Sequence, residues 1–156
     1  MESRMNSPVT IVPNLAHALQ DLGVSLFASA DQCGLPKRTL FLAYLRASQI
    51  NGDGVCVDLH SRNALSAGDT AERVRTVPAW RESPDFTEAE RAALALCEAM
   101  TRLSDRPDPV PDDVYREAAR HYGEQALATL IAGIAVGNLY NRLNVATRQK
   151  ANVPAG

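Results

Sequence analysis

Glycine and proline cut this chain into stretches of helical length, and each stretch carries its apolar residues at helical spacing. From Pro13 to Ala30, Leu15, Leu19, Leu22 and Leu26 recur near the period of one helix face. Cys33-Gly-Leu-Pro36 breaks that helix, and Pro36 suits the first turn of a second. The second runs through Leu40, Phe41, Ala43, Tyr44, Leu45 and Ala47 and ends near Asn51-Gly52. A third is predicted from about Asp53 to a glycine stop at Gly68. Asp69-Thr70 caps a short helix to about Thr76, interrupted by Pro78. Thr87 and Glu90 make a capping box ahead of a helix from Ala89 to Leu103, with Leu94, Cys97 and Met100 on one stripe. The stiff link Arg106-Pro-Asp-Pro-Val-Pro111 leads to a helix from Asp112 to about Tyr122. The last and longest helix runs from Glu124 to about Arg148. No stretch alternates apolar and polar residues as a strand would, and nothing repeats. The expectation is an all-α domain of about six to seven helices over residues 13–148, with loosely ordered ends at 1–12 and 149–156.

A chain of 156 residues suits one domain and buries enough surface to need no staples. A net charge of −2 gives no basic footprint for nucleic acid. Cys33, Cys56 and Cys97 are odd in number and irregular in spacing, which speaks for a reducing cytoplasm rather than a disulfide framework. The first residues, Met1 to Pro8, lack the apolar core of a signal peptide. The longest small-apolar run, Ala128 to Gly137, is shorter than the roughly 20 residues a membrane span needs.

The chemistry concentrates in Asp53-x-x-Cys56-x-x-x-His60. Put a cysteine at position 53 and the stretch becomes a dithiol with a histidine behind it, able to cycle through an internal disulfide; a single thiol cannot. Cys56 and His60 are four apart and share a helix face. With Asp53 as N-cap, Cys56 is the third helical residue, where unpaired amides and the helix dipole favour a thiolate and lower the thiol pKa. His60 one turn on can take or hold a proton. The Asp53 carboxylate works against a thiolate by charge, less so if it turns into the backbone amides. Each residue also has a plain structural reading: Cys56 a small buried residue, Asp53 a cap, His60 a hydrogen-bonded core side chain. A metal is not expected, since three ligand types within two turns of one helix rarely converge tetrahedrally. Cys97 reads as core, whereas Cys33 sits in a predicted loop and could resolve Cys56 only if the fold brought them together. Gly133 and Gly137 give the last helix a small face for close packing. Arg46, Asn138, Asn141 and Arg142 read as buried hydrogen-bonding or interface residues, and Trp80 as a core or interface anchor.

Several segments together resemble the carboxymuconolactone decarboxylase and alkylhydroperoxidase D-like superfamily in its short, single-domain form. They are Leu45-Arg-Ala-Ser-Gln-Ile-Asn-Gly52, Cys56-Val-Asp-Leu-His60, Arg62-Asn-Ala-Leu-Ser-Ala-Gly68, Ala79-Trp-Arg-Glu-Ser-Pro84, Phe86-Thr-Glu-Ala-Glu-Arg-Ala-Ala-Leu-Ala-Leu96 and Gly137-Asn-Leu-Tyr-Asn-Arg-Leu-Asn-Val-Ala146. The resemblance spans about Leu35 to Arg148. It implies an orthogonally packed all-α fold, assembly as a homo-trimer or hexamer, and reduction of small hydroperoxides with electrons from a thiol reductant, without a cofactor. In this family's pattern the peroxide-attacking cysteine falls on Cys56 and the following histidine on His60. The resolving cysteine falls on Asp53, a relay glutamate on Phe41, and a histidine carried by some members on Val55. Phe41 in place of a carboxylate makes the pocket drier, which also disfavours the thiolate. Three readings follow: a single-cysteine peroxidase-like enzyme with Cys56, His60 and Asp53 at its centre; a non-redox oligomeric binding or scaffold protein, its small apolar ligand near Phe41 and Val55; and lactone or decarboxylation chemistry with Asp53 or His60 as acid or base.

Overall fold

The computed structural model describes residues 2–151. All its regular elements are helical: α1 (Pro8–Ile11), α2 (Leu15–Cys33), α3 (Lys37–Asn51), α4 (Gly54–Ser66), α5 (Ala71–Thr76), a 3-10 turn (Val77–Ala79), α6 (Glu88–Thr101), α7 (Asp112–His121) and α8 (Glu124–Thr147). The architecture is the orthogonally packed all-α domain that the resemblance implies. The seven predicted helices are all present. The described residues hold eight α-helices rather than six to seven, because Ser7 caps one further turn, α1, with its hydroxyl accepting from Val9 N at 3.3 Å.

Within the N-terminal stretch expected to be loose, the backbone is also tied to the far end of the chain. Arg4 N donates to the Thr147 carbonyl at 2.9 Å, and the Ser3 hydroxyl to that of Arg148 at 3.0 Å. The last carbonyls of a helix have no partner within it, and this segment supplies some. The expected loose C-terminus falls, for residues 152–156, outside the described residues, as does Met1.

Helix α3 is the centre of the fold and packs on α4, α6 and α8. Its Leu40, Ala43, Tyr44 and Ala47 face one cluster with Ala93, Leu96, Cys97, Leu130 and Ile134. Its Leu42 and Leu45 face a second with Val77, Trp80, Phe86 and Leu94. A helix buried on two sides needs an apolar surface wider than one stripe, which explains the unbroken apolar run Leu40–Leu45 at the middle of α3. Helix α8 lies against it through Gly133 and Gly137, where side chains would collide with Leu40 and Tyr44.

Two buried acids fasten the outer helices to this core. Glu98 of α6 accepts from Arg46 Nε at 2.7 Å, from Trp80 Nε1 at 3.0 Å and from Arg81 at 2.8 Å. Glu90 closes the Thr87 capping box and pairs with Arg73 at 2.6 Å, and Arg73 also holds Asp69 at 2.6 Å. The hydrogen-bonding role expected of Arg46 and the anchor role of Trp80 are thus met by one carboxylate that the sequence does not flag. Among the described residues no helix is long and apolar enough to cross a membrane.

Candidate functional site

Gly52 ends α3 in the left-handed conformation, φ 69°, and turns the chain straight into Asp53. Asp53 is the N-cap of α4, and its Oδ1 accepts from Val55 N at 3.1 Å and Cys56 N at 3.2 Å. Of the two orientations the sequence leaves open, the carboxylate takes the one turned into the backbone amides. Its other oxygen, Oδ2, accepts from Asn141 Nδ2 and Asn144 Nδ2 of α8, each at 3.0 Å. Four donors from two helices therefore fix the carboxylate, which is 2% exposed.

Asn144 Nδ2 also reaches Cys56 Sγ at 3.4 Å. Behind it runs a ladder of amides. Asn51 Nδ2 donates to Asn138 Oδ1 at 2.9 Å and Asn141 Oδ1 at 3.0 Å, and Asn141 Nδ2 donates to the Ser48 hydroxyl at 3.0 Å. Asn138 continues to the Thr101 hydroxyl at 3.1 Å, and Arg142 caps the Asn138 carbonyl at 3.2 Å. The buried roles expected of Asn138 and Asn141 are borne out in this ladder. Asn144 was not singled out, although Asn138, Asn141 and Asn144 recur every third residue along an apolar helix, a spacing that puts three amides on one face.

In front of Cys56 lies a cavity of about 320 Å³. It is walled by Leu19, Leu26 and Phe27 of α2, Phe41 and Tyr44 of α3, and Val136 and Tyr140 of α8, with Cys56 and His60 of α4 on its floor. The rings form a continuous edge: Phe27 to Phe41 at 5.5 Å, Phe41 to Tyr44 at 6.3 Å and Tyr44 to His60 at 5.1 Å between centroids. Phe41, at the relay-glutamate position of the family pattern, is part of this apolar wall. Gln20 and Asn63 are the uncharged polar residues at its edge.

The electrostatics follow from this burial. The sequence sets the helix N-terminus, which lowers the Cys56 thiol, against the Asp53 charge, which raises it. In the structure the raising side prevails: the thiol is pushed up, to about 12, first by burial and then by the hydrogen bond and negative charge of Asp53. The amides of Asn144 and Asn141 pull in the other direction without prevailing. The helix N-terminus cannot rescue the thiolate because Asp53 already occupies the Cys56 amide. Burial likewise lowers His60 to about 4, so its imidazole is neutral, and its Nδ1 is buried without a hydrogen-bond partner. Tyr44 is raised to about 12 by the same desolvation.

Cys33 ends α2, bonds weakly to the Ala30 carbonyl at 3.7 Å and is not among the cavity-lining residues. Cys97 is wholly buried, with Sγ 3.1 Å from the Ala43 carbonyl, as expected of a core residue. All three cysteines are free thiols. Among the described residues no group of three or more His, Cys, Asp or Glu side chains gathers to hold a metal ion.

Comparison with known proteins places this helical cavity in a class. The sequence profile of the Carboxymuconolactone decarboxylase family matches residues 13–99. The chain belongs to that family. It is 32% identical over 120 residues to the uncharacterised protein YdfG of Bacillus subtilis, covering 77% of this chain and 80% of that one. Over 91 residues it is 36% identical to the uncharacterised protein YnjA of Escherichia coli, covering 58% of this chain and about half, 48%, of that longer one. Among solved structures, ATU0492 of Agrobacterium tumefaciens, a protein of unknown function for which an antioxidant-defence role as AhpD has been suggested, superposes with a TM-score of 0.87. The two are 30% identical over 97% of this chain and 99% of that one. A cysteine-to-alanine variant of the debrominase Bmp8, solved with 2,3,4-tribromopyrrole, gives a TM-score of 0.79 at 25% identity over 93% of this chain and 74% of that one.

Proposed function

We propose that this protein is a peroxiredoxin-like thiol oxidoreductase that acts on a small, uncharged, apolar hydroperoxide, with Cys56 as its single reacting sulfur. The supporting observation is that Cys56 and His60 share the floor of an aromatic cavity whose lining includes no Lys, Arg, Asp or Glu. Such a wall favours uncharged ligands, since a charge brought there finds no partner. The Cys56 sulfur attacks the outer peroxide oxygen as the O–O bond breaks. Cys56 becomes a sulfenic acid, and its thiol proton passes through His60 to the departing alkoxide, which leaves as an alcohol. One reductant thiol condenses with the sulfenic acid and releases water, and a second displaces the mixed disulfide, returning the Cys56 thiol. The two electrons come from the two reductant thiols, because position 53 offers none. The debrominase relative, solved as a cysteine-to-alanine variant in complex with 2,3,4-tribromopyrrole, supports a small-molecule substrate for this fold.

A second reading has its own observation. A thiol held near 12 beside an imidazole held near 4 is a poor resting nucleophile. It supports a non-redox protein that binds a small apolar molecule beside Phe41 and leaves Cys56 inert; Val55, expected next to that ligand, is not among the cavity-lining residues, and Tyr140 takes its place. Lactone chemistry has weaker support: the cavity lining has no cation for a carboxylate, and all of the Asp53 oxygens are engaged by donors.

Intact mass after an organic hydroperoxide and a sulfenic-acid trap separates the two. Trapping on Cys56 in the native chain, lost in Cys56→Ser, supports the enzyme. Binding of an apolar probe in the cavity with Cys56 unlabelled, and Cys33 no faster than a free thiol, would sink it. Assembly as a homo-trimer or hexamer and a cytoplasmic setting belong to the same proposal.

A further inference from the structure

We propose that Asn144 belongs to the reacting centre, and that the Asp53–Asn144 pair sets how readily the Cys56 thiol releases its proton. This deepens the thiol reading above and rests on it for its functional meaning. It does not rest on it for its test.

The amide nitrogen of Asn144 has two hydrogens and two acceptors: Asp53 Oδ2 at 3.0 Å and Cys56 Sγ at 3.4 Å. A donor aimed at sulfur favours the thiolate. Asp53 acts the other way by two routes. It is a carboxylate one helical turn from the sulfur, and it occupies the Cys56 amide that a thiolate at a helix N-terminus would otherwise use. The carboxylate cannot turn aside, because Val55 N, Cys56 N, Asn141 Nδ2 and Asn144 Nδ2 hold both of its oxygens. Asn144 is thus the side chain that both locks the repelling charge in place and offsets it at the sulfur.

The other titratable groups around the sulfur do not take over either role. His60, one turn along α4, is neutral. Tyr44 from α3 and Tyr140 from α8 line the same cavity, and burial raises the phenol of each. Helix α2 contributes Leu19, Gln20, Leu26 and Phe27 and no charge. Arg148, at the end of α8, lines a surface groove with Asp53 and Asn144 and not the cavity. Asp53 is therefore the charge that bears on Cys56, and Asn144 is the side chain hydrogen-bonded to both.

The experiment follows alkylation of Cys56 by iodoacetamide against pH, read per cysteine by peptide mass spectrometry, with helical circular dichroism on each variant. Asp53→Asn keeps a capping side chain and removes the charge; for each unit by which the thiol pKa falls the thiolate fraction at pH 8 rises about tenfold and the Cys56 rate about threefold, since a less basic thiolate is the weaker nucleophile. Asn144→Ala added to Asp53→Asn is expected to move the inflection back up and slow the reaction again, whereas Asn144→Asp should abolish the gain. Asp53→Ser, also a good cap, replaces Asp53→Asn if that variant does not fold. A folded, charge-free variant whose Cys56 reacts no faster than native would overturn the role of Asp53. An inflection unmoved by Asn144→Ala would overturn that of Asn144. Alkylation needs no substrate, so either failure leaves the hydroperoxide reading to be judged by its own trapping test.

Discussion

The ring of Tyr44 rests on Gly137 so closely that a Cβ there would lie 3.1 Å from Tyr44 Cδ1. One turn earlier, a Cβ at Gly133 would meet the Tyr44 hydroxyl and Leu40 Cδ2 at 3.0 Å each. Tyr44 and Gly137 both line the cavity, and Phe41 and His60 lie against other edges of the ring. The cavity is open space beside the ring, into which it can yield. In Gly137→Ala the helix gains up to about 1 kcal/mol of propensity, while overpacking costs about 1–3 kcal/mol. The expected result is a net loss of stability and weaker uptake of an apolar fluorescent probe. A variant with a higher Tm and native probe uptake would show that Tyr44 moves elsewhere.

His60 makes stability depend on mild acid. Its pKa is about 4 in the folded chain against 6.5 when exposed, so between those values the unfolded chain binds the extra proton. Stability is therefore complete above about pH 6.5 and falls as pH drops toward 4, by about 3 kcal/mol in all. Chemical denaturation of native protein and His60→Gln at pH 7 and pH 5 checks the sign. The native chain should lose more between the two pH values than the variant does.

Glu98 should be the costliest single charge to remove. It is 5% exposed and holds Arg46, Arg81 and Trp80 at once, joining α3, α6 and the 3-10 turn. Breaking a buried pair from one side leaves the other charge stranded, at a cost of about 3–5 kcal/mol. Glu98→Ala is expected to fall in that range by urea denaturation, and Glu98→Gln to lose less, because an amide oxygen still accepts from Trp80. Its folded pKa is held below the ordinary 4.5 by the Trp80 and arginine hydrogen bonds, against burial. Its contribution is present above about pH 4.5 and disappears as pH falls through the lowered value.

The helices were legible because they obey local rules: period, the Thr87–Glu90 box, Gly34 and Gly52 as stops, and Pro36 at a start. The placing of Asp53 as cap and Cys56 as third helical residue follows from the same rules and holds in the structure. The state of the Cys56 thiol was not legible, because it depends on what α2 and α8 bring across from positions some thirty or more residues away. Leu19, Phe27 and Tyr140 remove water from the sulfur, and Asn141 and Asn144 fix the carboxylate. Glu90 reads in the sequence only as the capping-box partner of Thr87, and nothing in the sequence marks Glu98. Only the arginines that reach them from α3, α5 and the 3-10 turn region reveal that they are buried.

Asp53→Cys puts back the second sulfur that the stretch from Asn51 to His60 lacks. The substitution removes the acceptor of four hydrogen bonds. Losing the cap alone costs about 0.5–2 kcal/mol, so the reduced variant should unfold at a lower Tm than native. Asn141 keeps its bond to Ser48, which limits the damage in the ladder. The same change removes the charge that adds to burial in holding the Cys56 thiol up, and places a second sulfur one turn away at the helix start. After mild peroxide the variant is expected to lose two hydrogens by intact mass, recoverable with a dithiol, and its oxidised form to regain part of the lost Tm as the new bridge restrains the unfolded chain. The native chain under the same treatment should form no internal bridge, since Cys33 lies outside the Cys56 cavity and Cys97 is enclosed in the core. A variant that keeps three free thiols besides its new one would mean that the backbone from Asp53 to Cys56 does not permit the bridge. The missing sulfur would then be a consequence of this geometry rather than its cause.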